Sequence, residues 1–119
     1  LALRHTWVHE ENEDWHKGAQ ALRNWYAYFY AWFKNDQVPV DGFINPLTDT
    51  QMDELPGFGL DDLHKNLLIG TPLEVTKRIK HYESLGVTQF SFWSDNGLSH
   101  SEKKKSLQLF IDKVMPNFN

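Results

Sequence analysis

Residues 67–97, with the sequence LLIGTPLEVTKRIKHYESLGVTQFSFWSDNG, decide the fold class. The apolar run at 67–69 predicts a short strand, and Thr71-Pro72-Leu73-Glu74 predicts a helix that begins with a capping box. Gly86 is typical of the end of a helix, and Val87–Trp93 predicts a second strand. Strands that alternate with helices predict an α/β protein with a parallel sheet.

The turn after this second strand is the first candidate site, because parallel sheets bind ligands at the carboxyl ends of their strands. Trp93 and Asp95 lie at that end. Asp95 and His100 flank the turn, and two interpretations are open. They form an acid–base pair, or they are a turn residue and a histidine at a helix start.

The N-terminal 35 residues predict a strand over 3–9 and a helix over 13–34. In an extended strand His5, Trp7 and His9 share one face. Two apolar stripes cover the helix. The first, expected to be buried, contains Trp15, Ala19, Leu22, Tyr26, Phe29 and Phe33. The second contains Trp25, Tyr28 and Trp32. The second stripe is open to three interpretations: more core, a subunit interface or a platform for ligand stacking.

The rest of the chain is divided at residues 36 and 67. Residues 36–66, rich in proline and glycine, predict an irregular excursion with one helical turn near 50–55. Residues 67–119 form a βαβα unit whose last helix starts with a capping box at Ser99 and ends before Pro116. We expect this helix to bury one stripe, made of Leu107, Phe110, Ile111 and Val114. The chain is a single domain or a fragment, since it starts without methionine inside a predicted strand.

Composition excludes several classes of function. The chain has 119 residues, a formal net charge of −4 and no cysteine, which argues against nucleic acid and anionic membranes as partners and excludes disulfides and thiolate chemistry. No apolar run approaches the ~20 residues of a membrane span, so a cytoplasmic location is expected. His5 and His9 would lie about 13 Å apart on a strand, so no metal site is predicted, although a histidine-based metal protein is one alternative.

Three motifs together resemble the C-terminal end of the luciferase-like flavin-dependent monooxygenases. They are Ile-Gly-Thr-Pro-x-Glu-Val at 69–75, Tyr-Glu-x-Leu-Gly-Val at 82–87, and Ser-Leu-x-Leu-Phe-Ile-x-x-Val-Met-Pro-x-Phe at 106–118. The resemblance is strongest from Leu67 to Phe118 and looser before it, where Arg4-His5-Thr6 and the aromatic helix are similar in style.

This resemblance implies the C-terminal part, about three β/α units, of a (β/α)8 TIM-type barrel, completed by oligomerisation or by missing chain. It implies a monooxygenase that uses reduced FMN and O2 on a small organic substrate and receives its flavin from a reductase. Ser91, Trp93 and Asp95 would line the barrel mouth and contact flavin or substrate. The family's catalytic residues have no counterpart here, so we expect this chain alone to be inactive. The alternative is a non-catalytic binding or dimerisation module derived from such a barrel.

Overall fold

A three-stranded parallel sheet forms the centre of the computed structural model, which describes residues 1–118. The strands are β1 (Ala2–Val8), β2 (Leu68–Gly70) and β3 (Phe90–Trp93), in the spatial order β2-β1-β3. The two neighbours of β1 meet different parts of it. β2 pairs with residues 6–8 of β1, and β3 pairs with residues 2–5. All three strands fall where the sequence predicted strands, although β3 begins three residues later than expected.

Five helices surround the sheet. They are α1 (Trp15–Lys34), α2 (Asp49–Asp53), α3 (Leu60–Asn66), α4 (Pro72–Ser84) and α5 (His100–Leu109), the last continuing as a π-helical turn (Phe110–Val114) and a 3-10 turn (Met115–Asn117). The predicted capping boxes at Thr71 and Ser99 are both present. The short turn expected near 50–55 corresponds to α2, whereas α3 was not predicted.

Helices cover both faces of the sheet. On one face Trp7 and Ile69 pack against α1 and α3, with Ala19, Leu22 and Leu63 in the same buried cluster. On the opposite face Val8 and Leu68 pack against α4 and the C-terminal helical segment. The buried residues contributed there are Val75, Ile79, Phe110 and Val114. The chain therefore forms three layers, helix–sheet–helix.

This arrangement differs from the expected barrel end. Three successive barrel units would place their strands in chain order with all helices on one side of the sheet. Here α4 crosses on the face opposite α1, and β3 consequently pairs with the far edge of β1 rather than with β2. The structure shows a mixed α/β fold with a small parallel sheet of the doubly wound type, whose strand order reverses between β1 and β3.

The buried face of α1 was only partly predicted. Ala19 and Leu22 are fully buried, but Phe33 is 70% exposed and Phe29 is also exposed. At 20 residues α1 is about 30 Å long, whereas β1 with seven residues spans about 23 Å, so the last turns of α1 extend beyond the sheet. There the buried side of the helix is a pair of alanines, Ala27 and Ala31, against Leu47 and Met52 of the excursion.

The final stripe was also only partly predicted, because Leu107 and Ile111 are exposed. On α4, Arg78 Nη1 donates hydrogen bonds to the carbonyl oxygens of His64, Leu67 and Ile69. Arg78 therefore ties α4 to the connection between α3 and β2.

Candidate functional site

The candidate site centres on His5 of β1 and Trp93 of β3. These residues are opposite each other in the register of the two strands. Their rings stack with centroids 3.8 Å apart and planes 20° from parallel. His5 is only 1% exposed, while Trp93 is partly exposed. The imidazole is therefore a buried polar group with one face against an indole that reaches the surface.

Helix α1 completes the surroundings of the imidazole. The Tyr26 hydroxyl lies 2.9 Å from His5 Nδ1, and the Trp25 ring meets the imidazole edge-on with centroids 4.7 Å apart. Helix α1 reaches this close to β1 because Gly18 lies over Trp7, where an added Cβ would be 2.2 Å from the indole. A glycine two turns upstream thus permits the contact between helix and strand.

The turn after β3 supplies the charged group. Asp95 Oδ2 accepts a hydrogen bond from Trp25 Nε1 at 3.1 Å, and Oδ1 lies 3.3 Å from Lys103 Nζ. The turn packs against α1 at Gly97, which has φ of +78° and lies so near Ala21 that a Cβ would be 2.8 Å from its carbonyl oxygen. We call His5, Trp25, Tyr26, Trp93 and Asp95 the His5 cluster.

Side chains complete the edge of β1 beyond the end of β3. The buried Asn96 donates from Nδ2 to the Thr6 carbonyl oxygen at 3.3 Å. The buried Ser106 accepts at Oγ from the Val8 N–H at 2.7 Å. The main chain of β1 is therefore hydrogen-bonded after β3 has turned away, at the point where the strand order reverses.

The His5 imidazole is neutral at physiological pH. Burial lowers the pKa of His5 from 6.5 to about 4, and the nearby Asp95 carboxylate opposes this shift without cancelling it. Burial also raises the pKa of Tyr26, so its phenol keeps its proton. The pair is thus an uncharged imidazole and an uncharged phenol joined by one hydrogen bond.

Three buried imidazole nitrogens lack a hydrogen-bond partner within residues 1–118: the Nε2 atoms of His5, His9 and His64. His9 directly follows β1, and its N–H donates to the Gly70 carbonyl oxygen at the end of β2. Trp15 stacks on His64 with centroids 4.1 Å apart. Besides His5, therefore, His9 at the carboxyl end of β1 and His64 of α3 each have one buried ring nitrogen without a partner.

The structure brings together some of the residues singled out from the sequence and separates others. Trp93 and Asp95 both belong to the His5 cluster. Ser91 lies opposite Leu3 in the register, two residues before Trp93 and therefore on the same face of β3. His100 is exposed and, within the described residues, forms no hydrogen bond or ion pair with Asp95, whose carboxylate is held by Trp25 and Lys103. The acid–base pair is therefore not formed.

Two other sequence features have structural explanations. The N–H of Thr71, at the start of α4, donates to the Glu74 carboxylate in the capping box. As for metals, residues 1–118 contain no group of three or more histidine or acidic side chains arranged to hold an ion.

Sequence reasoning missed that His5 stacks on Trp93 and that Trp25 and Tyr26 also contact the His5 imidazole. Separate signals existed: His5 was placed with Trp7 on one strand face, and Trp25 was placed outside the buried stripe. The Tyr26 contact joins residues 21 positions apart, and the Trp25–Asp95 contact joins residues 70 positions apart. Neither local periodicity nor a motif encodes pairings at such separations.

One known protein is similar to this chain along the chain's whole length. The chain is 40% identical over all 119 residues to the oxygenase component of a flavin-dependent trigonelline monooxygenase from Acinetobacter baylyi. It spans about a third of that protein's length (33%). No family model and no solved structure matches the chain. The identity extends along the whole of this chain, and the relative is named as a flavin-dependent monooxygenase component.

None of the helices formed by residues 1–118 is long and apolar enough to cross a membrane.

Proposed function

We propose that this chain is part of the oxygenase component of a flavin-dependent monooxygenase that uses reduced FMN and O2 to oxidise a small organic substrate. The observation that carries the proposal is the 40% identity to such a component along all 119 residues. The luciferase-like motifs at 69–75, 82–87 and 106–118 agree with it. Trigonelline, the compound in the relative's name, is the first substrate to test.

The His5 cluster is our proposed contact for the flavin ring or the substrate. It lies beside the reversal of strand order, where open parallel sheets bind ligands. Indole faces at Trp25 and Trp93, together with one unpartnered nitrogen at His5, suit a flat ring that carries polar atoms. The lysine that contacts the cluster, Lys103, is already paired with Asp95. We therefore assign the isoalloxazine ring to this cluster and the FMN phosphate to residues elsewhere.

Reduced flavin, when bound, supplies the electrons that activate O2. The residues of this chain would bind and orient the ring and exclude water. Trp93 would stack, Asp95 would keep Trp25 in place through its indole N–H, and Ser91 would line the same face of β3. The neutral imidazole at His5 adds no charge to the pocket.

The wider assignments are proposals for the complete protein. The relative is about three times as long as this chain, which is enough for a (β/α)8 barrel. Strands from the rest of such a protein would pair with the outer edges of β2 and β3, and the β1–β3 pairing that forms the His5 cluster would remain. We further propose that a separate reductase supplies the reduced flavin, that the protein is cytoplasmic, and that copies of it associate.

Anaerobic titration of the purified chain with reduced FMN, followed by tryptophan fluorescence, tests the proposal. We expect saturable binding that Trp93→Ala weakens, because Trp93 would stack on the ring. Trp32→Ala, which alters an exposed indole on the same helix as Trp25, is the control and should leave the Kd unchanged. Absence of binding by the wild-type chain would remove the flavin site from these residues.

A non-catalytic dimerisation module is the second candidate. The exposed aromatic side chains at the end of α1 favour it, because large exposed apolar patches mark interaction surfaces. Self-association without any affinity for reduced flavin would support the module over the oxygenase.

A further inference from the structure

We propose that His5 is the hydrogen-bond donor that orients the ligand of the His5 cluster. Its Nε2–H would donate to an sp2 oxygen, either a carbonyl of the flavin ring or a carbonyl or carboxylate of the substrate. This inference rests on the proposed function and assigns a role to a residue that neither the motifs nor the comparison with the relative singles out.

The Tyr26 contact decides which nitrogen of His5 carries the proton. A phenol, with an ordinary pKa near 10, is a stronger acid than the N–H of neutral imidazole. The unprotonated imidazole nitrogen is also a better hydrogen-bond acceptor than the phenol oxygen. Tyr26 therefore donates its O–H to Nδ1 across the 2.9 Å contact, and the single proton of the neutral ring lies on Nε2.

That Nε2–H donor has nothing to bind within the described residues. It is buried and unpartnered, and an unpartnered buried donor costs about 1–3 kcal/mol. Buried polar groups without partners are uncommon in folded proteins and call for an explanation. A ligand oxygen at this point would recover that free energy, and so the apo state is prepared for an acceptor.

Two partly exposed indoles border the imidazole that carries this donor. Trp25 and Trp93 lie at 4.7 and 3.8 Å from it between ring centroids, and both are partly exposed. We expect that a ligand reaches Nε2 by displacing one of these indoles. The displaced ring remains available to stack on the ligand.

Two-bond 15N–1H spectra of the histidine side chains test the tautomer directly. In the apo chain we expect the His5 proton on Nε2, and in Tyr26→Phe a mixture of tautomers. Saturating reduced FMN, reduced riboflavin or benzoate should shift the Nε2–H signal. A shift with both flavins places the acceptor on the flavin ring, and a shift with benzoate alone places it on the substrate. A His5 proton found on Nδ1 in the wild type would overturn the inference.

Affinity measurements complete the test. We expect His5→Phe to weaken binding of reduced FMN or benzoate about tenfold, the loss of one buried hydrogen bond of about 1.4 kcal/mol. His5→Gln, which keeps an N–H donor, should recover part of this loss, and His81→Phe, a change at an exposed histidine of α4, should have no effect.

The outcomes separate the inference from the proposed function. If the wild-type chain binds neither flavin, the proposed flavin site fails, while the tautomer of apo His5 still tests the inference. If the wild type binds and His5→Phe binds equally well, the inference fails and the proposed function stands. Should His5→Phe not fold, Tyr26→Phe and the wild-type spectra still decide.

Discussion

At the scale of single residues, burial of His5 makes stability depend on pH. Its pKa is about 4 in the folded chain, against 6.5 as the ordinary value. The unfolded chain therefore binds more protons between these values, and the free energy of unfolding should fall as pH drops from 6.5 towards 4. A shift of this size corresponds to about 3 kcal/mol.

Urea denaturation at pH 7 and pH 4.5 measures this loss. His5→Gln cannot titrate in this range, so its stability should change less between the two pH values than that of the wild type. His64, whose pKa burial also lowers, contributes equally to both proteins. An identical pH dependence in the two proteins would contradict the burial of a neutral imidazole.

Gly18 shows steric contact and helix propensity acting in opposite directions. Alanine is favoured over glycine in a helix by about 1 kcal/mol, so Gly18→Ala would stabilise an isolated helix. In the folded chain the new Cβ would lie 2.2 Å from Trp7, and overpacking costs about 1–3 kcal/mol. We expect a net loss of stability in thermal denaturation. Gln20→Ala, at an exposed position two residues later, is the control, and a gain for Gly18→Ala would mean that α1 does not lie on Trp7.

At the scale of elements, the end of β1 depends on a side chain from α5. Ser106→Ala would leave the Val8 N–H buried without its acceptor. We expect a loss of about 1–3 kcal/mol and faster hydrogen exchange at the Val8 amide. Ser84→Ala, which removes an exposed hydroxyl bonded within its own helix turn, should have little effect. Unchanged exchange at Val8 would show that α5 does not contact this strand.

The elements themselves were largely predictable, whereas their arrangement was not. Capping boxes and Gly86 placed α4 and α5, because these signals lie within a few residues of each helix end. The strand order depends on which edge of β1 is available to β3, a question that local patterns do not address. For the same reason the strand pattern located Trp93 but did not predict the residues of α1, Trp25 and Tyr26, that join it in the His5 cluster.

At the scale of the whole molecule, the end of α1 presents an aromatic surface of Tyr28, Phe29, Trp32 and Phe33. The outer edges of β2 and β3 also have no partner strand within residues 1–118. Such surfaces favour association. We expect sedimentation velocity to show self-association that Trp32→Ser reduces. Leu73→Ser, at an apolar position of α4 that is more exposed than Trp32 (75% against 57%), is the matched control. A monomer at all concentrations would contradict this expectation.

The central claim, that the His5 cluster binds the flavin ring, is tested most directly by the indole N–H signals of the five tryptophans during anaerobic titration with reduced FMN. We expect saturable shifts at Trp93 and Trp25, the second of which donates to Asp95, with Trp15 and Trp32 unchanged. Saturation with shifts only at Trp15 or Trp32, or no shift at any tryptophan, would contradict it.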